Sequence, residues 1–235
     1  MKKELLLFCT SNYPIIRINN DLINNKYNLF DEVKLLNEND LDDYIKPIVE
    51  NNIKKYGYDG QGYPTRGYGY WIWKPYIILQ ELNKLQDGDI LVHLDIHCHL
   101  NIIKDKFNDI INELNNQSII LGNCGFNDYM YTTTKLRKHI EKQLRYKFTK
   151  QELQHVQYES GIQFIKNDKY SRNFIKTWFD LMLSGLDYVS DMYNNDRSNH
   201  KTFVENRHDQ SVISLLYKYN KLKYIDYLNW DNLNK

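Results

Sequence analysis

The chain has 235 residues, 42% hydrophobic and 26% charged, which suits one sizeable α/β domain with a buried core. Its 31 basic and 30 acidic side chains leave a formal net charge of +1, so the charge balance implies no polyanion-binding face and argues against nucleic acid as the main partner. Cys9, Cys98 and Cys124 form no CxxC pair and argue against a disulfide framework; with no apolar run near the ~20 residues of a membrane span, a cytoplasmic protein, at most peripheral to a membrane, is expected.

LLLFC (5–9) has the composition of a buried strand and runs into the polar turn TSNY (10–13), and EVKLL (32–36) reads as a second strand. Residues 40–56 read as helix. They lead into YGYDGQGYPTRGYGY (56–70), which holds five of the ten glycines and five tyrosines and so reads as a long, function-bearing loop. Pro75 opens a helix, where its missing N–H costs nothing, and Ile78, Leu82 and Leu85 form its buried stripe. The DGD turn (87–89) precedes a strand at 90–94. SIILG (118–122) and SGIQFI (160–165) read as further strands.

Residues 134–144 read as a helix with Leu136, Ile140 and Leu144 on one face, and Thr149 and Glu152 have capping-box spacing for another. A strongly amphipathic helix through Phe174, Ile175, Trp178, Phe179 and Met182 stops at Gly185. Residues 187–207 read as a polar loop, and Asp209 caps a last helix with Val212, Leu215, Leu216 and Tyr219 on its stripe. Alternating strands and helices predict one domain over 1–235, with a mixed, mostly parallel sheet flanked by helices.

The chemistry concentrates in DGDILVHLDIHCHLN (87–101). At a period of two, His93, Asp95, His97 and His99 share one side of a strand and Leu94, Ile96, Cys98 and Leu100 the other. Three readings compete. DIHCH resembles the D-x-H-x-H signature of amidohydrolase-type and PHP-type metallohydrolases, but there the motif opens a barrel, whereas here about ninety residues precede it. Its further ligands would come from His139, His155, His200 or His208. A structural zinc site would need Cys98 and His97 or His99 with Cys124, without paired spacing. In the third reading Asp95 ends an apolar strand as a D-x-D-like carboxylate, facing a divalent ion on a sugar-nucleotide diphosphate in the crevice at a sheet's carboxyl edge.

The run RGYGYWIWKPYIILQELNKLQDGDILVHLDIHCHLN (66–101), with QYESGIQFI (157–165) and RHDQSVISLLYKY (207–219), resembles a family of bacterial and viral sugar transferases. Their hallmark is a Gly-Tyr-Trp-x-Trp-Lys-Pro segment, a helix, and a strand closing on Asp-x-Gly-Cys or a similar turn. The blocks follow the order of GT-A enzymes of the family 8 type and cover about a third of the chain. The resemblance implies a GT-A (Rossmann-like) fold, with a nucleotide-binding half (1–125) and a donor-sugar and acceptor half (126–235). It implies a hexosyltransferase moving sugar from a UDP- or GDP-linked donor to a hydroxyl of a glycan acceptor in surface polysaccharide or glycoconjugate synthesis, with Mn2+ or Mg2+ as cofactor. The other outcomes are the metallohydrolase and a catalytically inactive carbohydrate-binding relative of the same fold.

Roles follow from that resemblance and from side-chain chemistry. Asp95, His97 and His208 are the expected metal ligands, although His97 stands where the family has Asp or Gly. Arg66 and Lys74 would neutralise the diphosphate. Thr10, Ser11 and Tyr13 would receive the nucleoside after the first strand. Of the two tryptophans around Ile72, Trp73 is assigned to the sugar. Gln157, Glu159 and Ser160 would contact donor hydroxyls. Asp209 would serve as base for the acceptor, or Gln210 would stabilise an oxocarbenium-like centre.

Overall fold

The computed structural model describes residues 1–57 and 66–223. Its strands are β1 (Lys3–Phe8), β2 (Glu32–Leu36), β3 (Ile90–Leu94), β4 (Ile119–Asn127) and β5 (Val156–Lys166). They form one sheet in the order β2-β1-β3-β5-β4. β1 pairs in parallel with β2 and β3, while β5 runs antiparallel to both β3 and β4. Four strands therefore share a direction and β5 opposes them. The expected mixed, mostly parallel sheet is present, and it draws strands from both halves of the chain.

Side chains alternate between two apolar layers, as the two-residue strand period requires. Leu5, Leu7, Ile90, Val92, Leu94, Ile120, Ile162 and Phe164 pack on one face with Phe107 and Ile110 of the helix Phe107–Glu113. Leu6, Phe8, Leu91, Ile119, Leu121 and Ile165 pack on the other. There they meet the helices Trp73–Lys84, Lys169–Ser184 and Asp209–Tyr219. On the strand β3, Leu91, His93 and then Asp95 share the parity of this second face. The functional residues that follow come from that side.

The second and third strands, at 32–36 and 90–94, and the helix Thr134–Leu144 have their expected bounds. The capping box at Thr149 and Glu152 is formed, with each side chain accepting from the other's backbone N–H. Other bounds move. The helix expected from residue 40 begins at Ile45. Pro75 falls in the first turn of the helix Trp73–Lys84 rather than at its first position. β4 and β5 are each longer than expected, since GNCGFN and VQYE lack a simple alternation of apolar side chains. The polar tract 187–207 includes most of the turn Leu186–Val189 and the 3-10 turn Asp191–Tyr193. Most of the glycine-tyrosine loop, residues 58–65, lies outside the described residues. Among the described residues no helix is long and apolar enough to cross a membrane.

Candidate active site

The site begins with backbone that few residues accept. Gly67, Tyr68, Gly69, Tyr70 and Trp71 all have positive φ, between 51° and 81°. Each non-glycine residue there costs roughly 1–2 kcal/mol, so the surroundings must hold the turn. They do so at both glycines. A Cβ on Gly67 would lie 2.0 Å from the Trp71 ring, and one on Gly69 would lie 3.1 Å from Val49. Trp73 Nε1 donates to the Gly67 carbonyl at 3.1 Å, and Tyr70 Oη donates to Asp191 at 3.2 Å. The turn delivers Trp71 to one side. The helix Trp73–Lys84 that follows brings Lys74 to that same side and turns Trp73 onto Phe8.

Opposite, β3 ends at Leu94. The Asp95 N–H donates to the Gly161 carbonyl at 2.9 Å, and the Cys98 N–H returns to the Asp95 carbonyl at 2.9 Å, closing a turn over 95–98. The histidine wall expected from a continuing strand is therefore absent. His93 is buried in the sheet, His97 is on the turn, and His99 is exposed at the start of the next short helix. Gly161 on β5 makes room for Asp95, because a Cβ there would lie 2.6 Å from Oδ2.

Lys74, Asp95 and Asp209 meet in one cluster. Lys74 Nζ is 3.0 Å from Asp95 Oδ1 and 3.2 Å from Asp209 Oδ2, with Ser160 Oγ at 3.5 Å. Three elements converge here: the second residue of one helix, the residue after β3 and the first residue of the helix Asp209–Tyr219. Asp209 does not cap that helix. His208 is the capping residue, at φ 52°, and the Asp209 side chain turns inward to Lys74. The Asp209 carbonyl accepts from Trp178 Nε1 at 3.2 Å, which ties the site to the core.

Burial sets the charges. The Lys74 side chain is 1% exposed. Burial opposes its charge, but Asp209 and Asp95 outweigh burial and hold the ammonium's pKa above its ordinary value. For Asp95 burial pushes upward, and the Lys74 charge together with the neighbouring His93 and His97 overrides it and holds the carboxyl well below the usual range. Asp209 shares the same lysine yet shifts upward, because burial and the Asp95 charge beside it outweigh Lys74 and Ser160, with no imidazole to help. Glu159 has no ion pair among the described residues; burial, with the Asp95 charge beside it, pushes it up to about 7.

A cavity of about 670 Å³ opens over this cluster, at the carboxyl ends of β1 and β3 where open α/β sheets bind ligands. Lys74, Arg17, Arg66 and Arg207 bring positive charge to its wall, and Asp95, Asp209 and Glu159 bring carboxyls. Trp71, Phe126, His97, His208, Ser160, Gln210 and Cys124 complete it. Arg66 is braced by Glu205 at 3.1 Å, and Arg207 lies over the Tyr131 ring at 4.7 Å.

Several assigned residues stand elsewhere. Trp73 does not line the cavity; it stacks on Phe8 with centroids 3.8 Å apart, and Trp71 takes the cavity wall instead. Gln157 is buried behind the wall. Its Nε2 donates to Asp128 at 3.1 Å and its Oε1 accepts from Gln210 Nε2 at 2.7 Å, so it positions Gln210. Thr10, Ser11 and Tyr13 form the turn after β1, outside the lining. The Ser11 hydroxyl is engaged by Glu38. Tyr13 is half-buried and close enough to Asp95 to feel its charge.

Five lining residues carried no role in the transferase assignment: Arg17, Trp71, Cys124, Phe126 and Arg207. Arg207 stands in the quoted RHDQS block, but an arginine beside a helix start reads equally as surface charge. The buried pair Asp128 and Lys218, which supports Gln157, was also unassigned.

The residues do not fit the expected metal ion. Among the described residues no three His, Cys, Asp or Glu side chains are grouped as ligands. His208 is fixed by its Nδ1–H, which donates to the Val189 carbonyl at 2.7 Å. Its Nε2 lies 3.6 Å from Asp191 and has no hydrogen-bond partner among the described residues. Burial draws this imidazole down to about 4, so it is neutral near pH 7. At Asp95 the cation is already present, as the Lys74 ammonium. A second cation about 4 Å from it would be repelled by ~4 kcal/mol per unit charge at an effective dielectric of 20.

The metallohydrolase alternative loses its geometry too, since the sheet is open rather than a barrel. His139 and His200 stack on Tyr188 and Tyr129, and neither they nor His155 line the cavity. Cys98 and Cys124 are both buried, with their thiols directed at the carbonyls of Gly161 and Gln157.

No protein-family model and no curated protein sequence matches the chain. Among solved structures, that of mouse xyloside xylosyltransferase 1 in its apo form is similar at 12% identity and a TM-score of 0.44, over 94% of this chain and 83% of that one.

Proposed function

We propose that the protein is a glycosyltransferase moving a hexosyl group from a UDP- or GDP-linked sugar to a hydroxyl of a glycan acceptor, in surface polysaccharide or glycoconjugate synthesis. The observation that carries this reading is the Lys74–Asp95–Asp209 cluster at the end of β3, beneath a cleft with three arginines. A sugar diphosphate gains negative charge on its leaving oxygen as the glycosidic bond breaks. Preorganised cations aimed at that oxygen stabilise the transition state more than the ground state. Arginine suits the phosphate oxygens through its fork of donors, and the buried Lys74 supplies a point charge.

Within this reading the other groups divide the work. Asp95 and Asp209 hold the Lys74 ammonium in place. Glu159, with a proton affinity matched to neutral pH, takes the acceptor's proton more readily than Asp209, whose carboxylate is engaged by Lys74 and Ser160. Gln210, its Nε2 held by Gln157 behind the wall, offers its Oε1 to a hydroxyl of the sugar. Trp71 offers its ring to the C–H face of a pyranose. The turn Thr10–Tyr13, next to the cavity's β1 side, receives the nucleoside.

The test is a panel of nucleotide sugars with release of nucleoside diphosphate as readout. At least one UDP- or GDP-linked donor should be turned over, and Glu159→Gln should lower kcat by 100-fold or more at unchanged nucleotide affinity. Binding of nucleotide with no turnover of any donor would leave a carbohydrate-binding relative as the answer. Absence of both binding and release overturns the proposal.

A further inference from the structure

We infer that this site works without a divalent metal ion: the buried Lys74 ammonium occupies the position between Asp95 and Asp209 from which a metal would neutralise the departing diphosphate. The inference rests on the donor reading given above and deepens it.

Four observations converge. First, one Asp95 oxygen is already committed. Oδ1 faces Lys74 Nζ at 3.0 Å and His93 Nε2 at 3.6 Å, and Oδ2 packs over Gly161. Second, the second carboxylate of the cluster, Asp209, is spent on the same ammonium at 3.2 Å. Third, the D-x-D-like triplet carries His97 in place of its second acid, so the pair offers one carboxylate where a hard cation favours two. Fourth, positive charge is supplied by the chain itself, since Lys74, Arg17, Arg66 and Arg207 all line one cavity. The lysine comes from the first turn of the helix Trp73–Lys84, next to Trp73 stacked on Phe8, so its backbone is anchored in the core. Nucleoside diphosphate would meet a site complete in its cations.

The experiment compares nucleoside diphosphate binding in two buffers. The purified chain is stripped with EDTA and dialysed. UDP, GDP, ADP and dTDP are then titrated calorimetrically with EDTA present and again, without EDTA, with MnCl2 in excess over protein and nucleotide. At least one nucleotide should bind equally, within about twofold, in both buffers. In parallel, the six-line EPR signal of free Mn2+ should be no weaker with protein and nucleotide together than with nucleotide alone.

Lys74→Met should weaken metal-free binding at least tenfold, and Lys74→Arg, which keeps the charge, should retain more of it. If Lys74→Met does not fold, the wild-type comparison decides alone. Binding that appears only with Mn2+, or that tightens tenfold or more with it, overturns the inference and leaves the transferase reading intact. No binding of any nucleotide in either buffer removes that reading, and the inference with it.

Discussion

Lys74 is the residue on which the site's electrostatics turn. A lysine so deeply buried is tolerated because two carboxylates face it, and removing it strands both. Breaking a buried ion pair from one side costs roughly 3–5 kcal/mol, so Lys74→Met should lower the unfolding free energy by that much, read from the shift in denaturant midpoint. Adding Asp209→Asn to Lys74→Met should restore part of the loss, because one stranded charge is then gone. Equal midpoints for the single and double variants would contradict this account.

Glu159 has a pH dependence opposite in sign to that of an ion-paired carboxylate such as Asp95. Its carboxyl titrates near 4.5 when unfolded and at about 7 when folded. Between those values the unfolded chain releases a proton that the folded chain keeps. Stability from this group is therefore unaffected below about pH 4.5 and falls as pH rises toward 7, by on the order of 3 kcal/mol in all. Glu159→Gln removes that titration. The stability of the variant relative to wild type should rise from about pH 4.5 to about pH 7 and level off above it; parallel stability curves would show that Glu159 is not perturbed.

At the scale of the element, glycines decide where functional side chains go. Gly161 has ordinary backbone dihedrals, so alanine is tolerated by the main chain, yet its Cβ would displace the Asp95 carboxylate. Gly161→Ala should fold with a cost of roughly 1–3 kcal/mol and weaken nucleotide binding at least tenfold. Gly88 supplies the control. Its φ of +94° makes alanine strained, while nothing lies within 4 Å of an added Cβ. Gly88→Ala should cost stability and leave binding unchanged. Similar binding losses in both variants would mean that the effect is general strain rather than displacement of Asp95.

At the scale of the whole molecule, the site is tied to one of the two apolar layers. Trp178 is fully buried, and its Nε1–H reaches the Asp209 carbonyl, so core packing and the placement of Asp209 are linked. Trp178→Ala should cost roughly 3–5 kcal/mol and lower Tm by about 10 °C, measured by thermal unfolding. A drop no larger than that of a surface substitution would show that the layer repacks freely.

Much of the local structure was legible in the amino-acid sequence, because it is written at short range. The strand period at 90–94, the helical stripe at 134–144, the capping box at Thr149 and the stop at Gly185 each depend on residues within a few positions of one another. The residues quoted for the sugar-transferase resemblance also flagged Lys74, Asp95 and Asp209 as belonging together. The direction of β5 was not legible, since a strand buried on both faces reads alike either way. Nor was the choice of Trp71 over Trp73 for the cavity, which depends on a run of left-handed residues that sequence pattern does not encode. The sequence by itself determined which side chains with chemistry stand at strand and helix ends. Only the tertiary structure decided that a lysine ammonium lies between two acids, because that depends on distances between segments more than a hundred residues apart, and no local periodicity carries such distances.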